Sequence, residues 1–376
     1  MPSNEVHFQK PSYTSVDLGT FGGHYSFAFA INNNGQMVGQ DTKNETSNKS
    51  FFPPTYAAVW DNSFWVSKTT LLSDQESHAY GINNLSTVVG YSQEDINGNQ
   101  KMLATAWQDG KTRYLPSLSD AQDESIASAI NDHGVIVGEN FSSTSFDDGH
   151  ATLWNDTGVI DLGTLGGNFS EAFAINNAGL VAGCSSTDKP DHAVHPVIWK
   201  EGKIIDLSPS HFGIANSVND NDLVVGFTGD EQHISHATLW INQKEIILQG
   251  TAGYSSYASA INNQNQIVGA ETSNDGHRHA LLWNTPNSAP VDLNQYLDQS
   301  QLEAGWQLTS ASGINDKGWI IGSASNSKTY ETHAFVLSSA GVTELIGAAP
   351  EQATHVLAAP TPAAHEASMD IWAGIY

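Results

Sequence analysis

Residues 170–183 read SEAFAINNAGLVAG, and versions of this segment recur along most of the chain. Each version has two small residues around a variable one, then Ile-Asn or Val-Asn, and ends after five further residues in a pair that closes with Gly. The asparagines that mark the repeats are Asn32, Asn83, Asn131, Asn176, Asn219, Asn262 and Asn315. Neighbouring asparagines lie 43 to 53 residues apart, a period that is typical of a β-propeller blade.

The repeat around Asn176 predicts the strands of one blade. Residues 170–175 alternate small and large side chains, which is the two-residue period of a strand buried on both faces. Residues 176–179, NNAG, predict a tight turn, because Asn and Gly tolerate positive φ. Residues 180–183, 195–199 and 203–207 supply the next three strands. Seven such units predict an all-β protein, a seven-bladed β-propeller of four-stranded antiparallel blades.

The two ends of the repeat array indicate how the ring closes. Residues 13–18 form an orphan fourth strand before the first repeat, and the last repeat ends its third strand at Leu337. We therefore predict that the N-terminal strand completes the last blade and removes open edges. Residues 342–345 are a rival for that place. We assign residues 1–346 to the propeller and 347–376 to an Ala/Pro-rich tail with an apolar end.

Three recurring phrases resemble the HAF-repeat family of mostly bacterial, mostly extracellular repeat proteins. They are the DLGTLGG phrase at 161–167, the Ile-Asn to Val-Gly segment, and a His-Ala-x-Leu-Trp strand such as 236–240. The resemblance covers roughly residues 13–337. It implies an extracellular or cell-surface setting, and it implies no activity and no catalytic residue.

Charge and cysteine content limit the partners. The chain has 40 Asp and Glu against 14 Lys and Arg, a net charge of −26. Such a surface repels nucleic acid and anionic membranes, and we expect no membrane insertion because no apolar run reaches membrane-spanning length. Cys184 is the single cysteine, so an intrachain disulfide is excluded. The N-terminal residues show no signal-peptide pattern.

Most of the recurring polar and aromatic residues have structural explanations. We expect each repeat asparagine to cap its hairpin turn, and the tryptophans of the third strands to lie in the core. The histidines that begin the third strands are expected to bond a backbone group rather than a metal, because no zinc-ligand spacing is present. These histidines are His150, His195, His236, His279 and His333; Tyr56 and Leu103 replace them in the first two repeats.

Candidate binding residues lie in the loops that the repeats do not share. Aromatic side chains beside oxygen ligands suit a glycan or a Ca²⁺ ion. For ligand binding these residues are Phe51, Phe52, Tyr56, His277 and Arg278, and for a possible Ca²⁺ ion they are Asp95, Asn97 and Asn99. The Asp-x-Asn-x-Asn run lacks the downstream Glu of an EF-hand, so an ordinary polar loop is the competing interpretation.

These features favour a non-enzymatic binding or scaffold propeller that recognises a glycan or a protein through its variable-loop face. One alternative is a structural subunit of a surface assembly. Another is a carbohydrate-active enzyme, either a polysaccharide lyase or a glycosidase. The enzyme would need two carboxylates, or a base with a cation, converging on one cleft, and no catalytic residue can be assigned from the sequence.

The apolar end of the tail predicts a docking contact, either on the propeller or on a neighbouring subunit. The docking residues are Ile371, Trp372, Ile375 and Tyr376. Burying each large side chain contributes about 1.5–3 kcal/mol. Deleting residues 365–376 should therefore reduce the mass of the native particle or its melting temperature, measured by light scattering and calorimetry. An unchanged mass and melting temperature would exclude a docking role.

Overall fold

The computed structural model describes residues 13–43, 53–61, 69–119, 123–142, 145–188, 193–232 and 234–339. Several predicted features lie outside the described residues: Phe51, Phe52, the rival strand at 342–345 and the tail residues Ile371, Trp372, Ile375 and Tyr376. The described chain is built almost entirely of β-strands, as the alternating pattern predicts. No helix within the described ranges is long and apolar enough to cross a membrane.

The strands follow one another in chain order with short connections. The first half comprises β1 Tyr13–Asp17, β2 Gly22–Ile31, β3 Met37–Lys43, β4 Thr55–Trp60, β5 Thr69–Leu71, β6 Ser77–Ile82, β7 Val88–Ile96, β8 Asn99–Gln108, β9 Lys111–Tyr114, β10 Asp123–Ile130, β11 Ile136–Ser142, β12 Ser145–Asn155 and β13 Gly158–Asp161. The second half comprises β14 Gly166–Ile175, β15 Val181–Thr187, β16 Val194–Lys200, β17 Lys203–Asp206, β18 Gly213–Val218, β19 Val224–Gly229, β20 Ser235–Ile241, β21 Lys244–Ile247, β22 Ser255–Ile261, β23 Ile267–Thr272, β24 Arg278–Trp283, β25 Val291–Asp292, β26 Trp306–Ile314, β27 Ile320–Asn326 and β28 Thr332–Ser339. A 3₁₀ turn, Leu293–Tyr296, and helix α1, Gln299–Ala304, lie between β25 and β26.

Each group of four consecutive strands from β2 onward forms an antiparallel unit, in the order a, b, c, d. The last three strands, β26–β28, are completed by β1, which pairs antiparallel with β28 and sets Val16 opposite Val336. The ladder extends through the Leu18 amide, which donates to the Ala334 carbonyl at 2.9 Å. The N-terminal strand thus supplies strand d of the last unit. In every unit the a–b turn lies at one end, the turn end, while strand c begins and strand d finishes at the other, the loop end.

The recurring small residues and glycines are explained by one close contact within each unit. Strand a has a β-bulge directly after the repeat alanine, at Ala28, Ala79, Ala127, Ala172, Ala215, Ala258 and Ala311. The bulge brings strand a against the repeat glycine of strand b. A Cβ added to Gly39 would lie 1.8 Å from the Phe27 carbonyl oxygen. Only glycine leaves room for this bulge, which increases local twist and re-aims the strand.

The repeat asparagines link each unit to the next. Their Oδ1 atoms cap the a–b turn: Asn131 Oδ1 accepts from the amides of His133 and Val135 at 3.1 and 3.0 Å. This is the predicted capping role. Their Nδ2 atoms donate to the carbonyl of the following repeat asparagine at 3.0–3.1 Å. These bonds run Asn32→Asn83→Asn131→Asn176→Asn219→Asn262→Asn315, and Asn315 donates back to Asn32.

A second circuit of hydrogen bonds uses the residue that follows each repeat asparagine. The backbone amide of each member donates to the side-chain oxygen of the next at 2.8–2.9 Å, and Asp316 returns the circuit to Asn33. Its members are Asn33, Asn84, Asp132, Asn177, Asp220, Asn263 and Asp316. The carboxylates of Asp132, Asp220 and Asp316 each accept from flanking asparagine amides. Both circuits lie at the turn end.

A further hydrogen bond between units joins strand c to strand a of the next unit. The Ala151 amide donates to Ser170 Oγ at 2.9 Å, and the same bond recurs from Ala57 to Ser77, Ala104 to Ser125, Ala237 to Ser256 and Ala334 to Ser26. The fourth unit has Pro196, which has no N–H, at the donor position. The facing residue there is Gly213, which has no hydroxyl. Donor and acceptor are therefore lost together.

The hydrophobic core lies between neighbouring units. One cluster joins Leu239 of β20 to Ala258 of β22 and Trp283 of β24. The cluster at the chain ends joins Val336 of β28 to Met37 and Trp60 of the first unit. The strand c tryptophans are 0–4% exposed, which confirms that they are core residues: Trp60, Trp107, Trp154, Trp199, Trp240 and Trp283.

The asparagine circuit can be tested at Asn131. Asn131→Asp keeps the oxygen that caps the turn but replaces the amide that donates to Asn176, so two oxygens face each other. We expect a loss of about 1–3 kcal/mol in the free energy of unfolding, measured with urea near neutral pH. Asn155→Asp, in the c–d turn at the edge of the same unit, is the control. Equal stability of Asn131→Asp and wild type would mean that the link between units contributes nothing.

Candidate functional site

The histidines that begin strand c pair with carboxylates at the loop end. His150, His195 and His279 place Nδ1 2.8 Å from the Oδ2 atoms of Asp161, Asp206 and Asp292, at the end of strand d in the same unit. In the last unit His333 lies 2.9 Å from Asp17, so this pair joins the first and last strands of the described chain. The predicted bond to a backbone group is wrong for these four residues, because strand pairing places an Asp carboxylate within hydrogen-bond distance of each histidine.

Three units depart from this pattern, the first two at both positions and the fifth at the Asp position alone. The first unit has Tyr56 and Leu71, and the second has Leu103 and Tyr114, where the others have His and Asp. In the fifth unit Ile247 replaces the Asp, and His236 Nε2 lies 2.9 Å from Asp230 Oδ2 of the b–c connection. The histidine row is therefore a set of local pairs that fix strand c to its neighbour.

The DLGTFGG and DLGTLGG phrases form the same d–a connection twice. Asp17 Oδ1 accepts from the Gly19 amide, Thr20 Oγ1 donates to the Gly23 carbonyl, and Ser26 Oγ donates to the Gly19 carbonyl. Gly19 has φ of +65°, and a Cβ on Gly23 would lie 2.1 Å from Thr42 Oγ1. Asp161, Thr164 and Ser170 make the equivalent bonds in the second copy. The glycines therefore serve the connection itself.

The predicted ligand residues that the structure describes do not converge on one site. Tyr56 is 6% exposed, and the Lys43 ammonium lies 3.7 Å from the centre of its ring. His277 is exposed in the b–c turn of the sixth unit, with Nε2 3.8 Å from Asp275 Oδ2. Arg278 begins β24 and its carbonyl accepts from Gln307. Their role in binding stays a prediction.

The predicted Ca²⁺ ligands lie at the tip of the β7–β8 hairpin. Asn97 and Gly98 have φ of +57° and +84°, and the Gly98 amide donates to Asp95 Oδ1 at 2.7 Å. The tight turn thus accounts for the Asn-Gly pair without an ion. Within the described residues, no three His, Cys, Asp or Glu side chains are grouped as a metal site. Binding of Ca²⁺ by Asp95, Asn97 and Asn99 stays a prediction.

Two buried carboxyl groups approach each other across neighbouring units, which sequence reasoning missed. Glu139 on β11 is 6% exposed and Glu171 on β14 is 1% exposed. Burial raises the pKa of both groups, and the charge of Glu139 raises the pKa of Glu171 further. No hydrogen bond partner is present for Glu171 Oε1 among the described residues. A glycosidase needs carboxyl groups that flank its substrate, and this pair is closed to a substrate.

An open cavity lies at the loop end of the last unit, beneath an insertion that no other described unit has. The insertion is the 3₁₀ turn and helix α1 between β25 and β26, and it accounts for the long 53-residue step to Asn315. The cavity has a volume of about 160 Å³. It is lined by Ser15, Asp17, Leu297, Ser300, Gln301, Ala304, Trp306, Leu308, Ala324, Ala334 and Phe335.

The insertion is held in place by its own caps and by β1. Asp298 caps helix α1 through its side chain, and Gly305 ends the helix with φ of +96°. The side-chain Nε2 of Gln301 donates to Ser15 Oγ at 3.3 Å, and Tyr13 packs edge-on against Tyr296 with ring centres 4.9 Å apart. The cavity is therefore bounded by the N-terminal strand on one side and by helix α1 on another.

The cavity combines an aromatic wall with a few polar groups. The Trp306 indole is half-buried and packs on the His333 ring, with ring centres 4.6 Å apart. His333 in turn contacts the carboxylate of Asp17, and Asp17 is one of the residues that line the cavity. Ser15, Ser300 and Gln301 are the other polar residues of the lining. Sequence reasoning missed this site, although the length of the insertion was a visible signal.

Comparison with known proteins identifies the family and the fold class. A family model described as "Protein of unknown function (DUF3466)" matches residues 23–151 and 167–344, so the chain belongs to this family. No model of the HAF-repeat family matches, so that resemblance is not reproduced. The search of curated proteins gives no match.

Solved structures similar to this chain are β-propellers at low sequence identity. The β-propeller domain of the Trilobed protease from Pyrococcus furiosus is 10% identical with a TM-score of 0.50, covering 71% of this chain and 83% of that one. A structure described as YCF48 bound to D1 peptide is 10% identical with a TM-score of 0.50, covering 91% and 98%. A Mycobacterium tuberculosis puromycin-hydrolyzing peptidase is 10% identical with a TM-score of 0.53, covering 84% of this chain and 51% of that one. These likenesses establish the β-propeller fold alone.

The buried acid pair predicts a dependence of stability on pH. Because burial raises the pKa of Glu171, the folded protein retains a proton that the unfolded chain releases above its ordinary pKa of 4.5. Stability is therefore lost as pH rises above that value. Glu171→Gln removes this proton uptake. As pH rises, the free energy of unfolding of Glu171→Gln minus that of wild type should therefore increase by up to about 1.4 kcal/mol per pH unit.

Urea unfolding of both proteins at pH 5 and pH 8 measures this gain. Glu201→Gln, at an exposed c–d turn in the same unit as Glu171, is the control and should show no change in the difference. A difference between Glu171→Gln and wild type that is the same at both pH values would contradict the raised pKa.

Proposed function

We propose that this member of the DUF3466 family is a non-enzymatic binding propeller that recognises a glycan at the cavity beside helix α1. The observation that carries the proposal is the combination of Trp306 with Asp17 and Gln301 in the lining of one cavity. Aromatic faces pack against apolar sugar faces, and precisely placed polar groups fix hydroxyl orientation.

The finer architecture is part of the proposal. We place seven four-stranded blades around one axis, closed by β1. The pairing of Val16 with Val336 and the return of both hydrogen-bond circuits from Asn315 and Asp316 to the first unit support this arrangement. The axis then runs past the asparagine circuits at the turn end, and the cavity belongs to the opposite, variable-loop face.

An extracellular or cell-surface setting fits the acidic composition and a glycan ligand. A protein partner at the same face is the second interpretation, and its supporting observation is the exposure of Leu302 in helix α1 and of Tyr330 between β27 and β28. The carbohydrate-active enzyme is less well supported, because the carboxyl pair that the described residues bring together, Glu139 and Glu171, is buried. Surface assembly through the C-terminal tail stays a separate proposal.

Glycan binding can be tested by screening the protein on a glycan array and confirming hits by ligand-observed NMR. We expect Trp306→Ala to weaken each confirmed hit roughly thirtyfold, since loss of one well-packed aromatic anchor costs about 2 kcal/mol. Trp319→Ala, in the same unit at the turn end, should leave binding unchanged.

Melting curves of both variants separate loss of binding from loss of fold. A screen without confirmed glycan hits would refute the proposed ligand class. Hits that respond to Trp319→Ala rather than Trp306→Ala would place the site elsewhere.

A further inference from the structure

The charge of the cavity lining restricts the class of sugar. Asp17 is the only ionisable residue among the described residues that line the cavity, and none of them is Lys, Arg or His. The rest of the lining is apolar or uncharged. An anionic ligand would therefore meet a carboxylate with no cation in the lining to offset the cost of desolvating its charge.

The Asp17 carboxylate keeps acceptor capacity for a ligand. Its Oδ1 atom accepts from the Gly19 amide at 2.8 Å, and the carboxylate contacts His333 Nδ1 at 2.9 Å. These contacts fix its orientation, yet its side chain is 37% exposed. A carboxylate has about four lone-pair sites, so it can also accept from a ligand hydroxyl or ammonium group. Hydrogen bonds to a charged donor are about twice as strong as neutral ones.

The cavity has a volume of about 160 Å³ and is open to solvent. That space suits one sugar ring presented from the end of a chain. The overall charge of −26 adds long-range repulsion against anionic glycans.

Resting on the proposed function, we infer that the cavity selects a terminal sugar ring that is neutral or carries an amine, and rejects acidic sugars. Asp17 is the selecting residue: it accepts hydrogen bonds from hydroxyl or ammonium groups and repels a ligand carboxylate. His333 is a positioning residue that holds the Asp17 carboxylate while its ring supports Trp306.

The test uses methyl glycosides in three sugar series, gluco, galacto and manno. Each series contains the neutral sugar, the 2-amino-2-deoxy sugar and the uronic acid. Dissociation constants are measured by NMR titration of the full-length protein at pH 7 with 20 mM and 500 mM NaCl. In at least one series we expect the amine to bind several-fold more tightly than the neutral sugar, and the uronic acid about tenfold more weakly. High salt should reduce these differences without reversing them.

Two variants assign the selectivity to Asp17. Asp17→Asn should remove the preference for the amine. Asp161→Asn is a matched control, because Asp161 makes the same contacts with Gly163 and His150 in the other copy of the phrase and is not in the lining of this cavity. It should keep the preference. Ser300→Lys adds a cation to the lining at an exposed helix position, and should strengthen uronic acid binding about tenfold even if Asp17→Asn fails to fold.

The outcomes separate this inference from the proposed function. Dissociation constants that do not depend on the charge of the sugar, or uronic acids that bind as tightly as neutral sugars, would overturn the selectivity while leaving glycan binding intact. Absence of binding in all three series, together with an array that yields no hits, would overturn both. Retention of the amine preference in Asp17→Asn would overturn the role of Asp17.

Discussion

The circuit of asparagine side chains is the constraint on which the rest of the fold depends. Each repeat asparagine uses its Oδ1 to close its own turn and its Nδ2 to bond the next unit. Among side chains of this size, only asparagine has an oxygen that can accept the two turn amides and an NH₂ group that can donate to the next unit. The glycine opposite the strand a bulge serves the same end, because it lets two backbones approach closely enough to align neighbouring turns.

At the loop end the constraint is weaker, and this difference leaves room for function. There, strands c and d of a unit are joined by His–Asp pairs that vary from unit to unit, and Tyr56, Leu103 and Ile247 replace members of them without disturbing the strands. Since local pairs at this end are exchangeable, insertions are tolerated there. Helix α1 is such an insertion, and it creates a cavity that the regular repeat does not provide.

Features marked by residues that recur in every unit could be predicted from the sequence, and features that depend on residues of a single unit could not. Periodic signals at Ala172, Asn176 and Gly183 identified strand a, its turn and strand b, because one geometry recurs in every unit. The partner of His195 was not predicted correctly, since Asp206 lies on another strand and only the register brings them together. The pairing of Glu139 with Glu171 was also beyond reach, because each occurs in a single repeat and their proximity depends on how neighbouring units pack.

The site and the pairing of the chain ends depend on the same residues. Ser15 and Asp17 of β1 line the cavity, while its other described walls belong to residues 297–335. Asp17 also pairs with His333, whose ring packs against Trp306. If β1 leaves β28, the cavity loses one wall and the Trp306–His333 stack loses the carboxylate that orients it. Binding competence therefore requires that β1 stays paired with β28, and any ligand that contacts both Asp17 and Trp306 must stabilise that pairing by as much as it binds the paired state more tightly than the unpaired one.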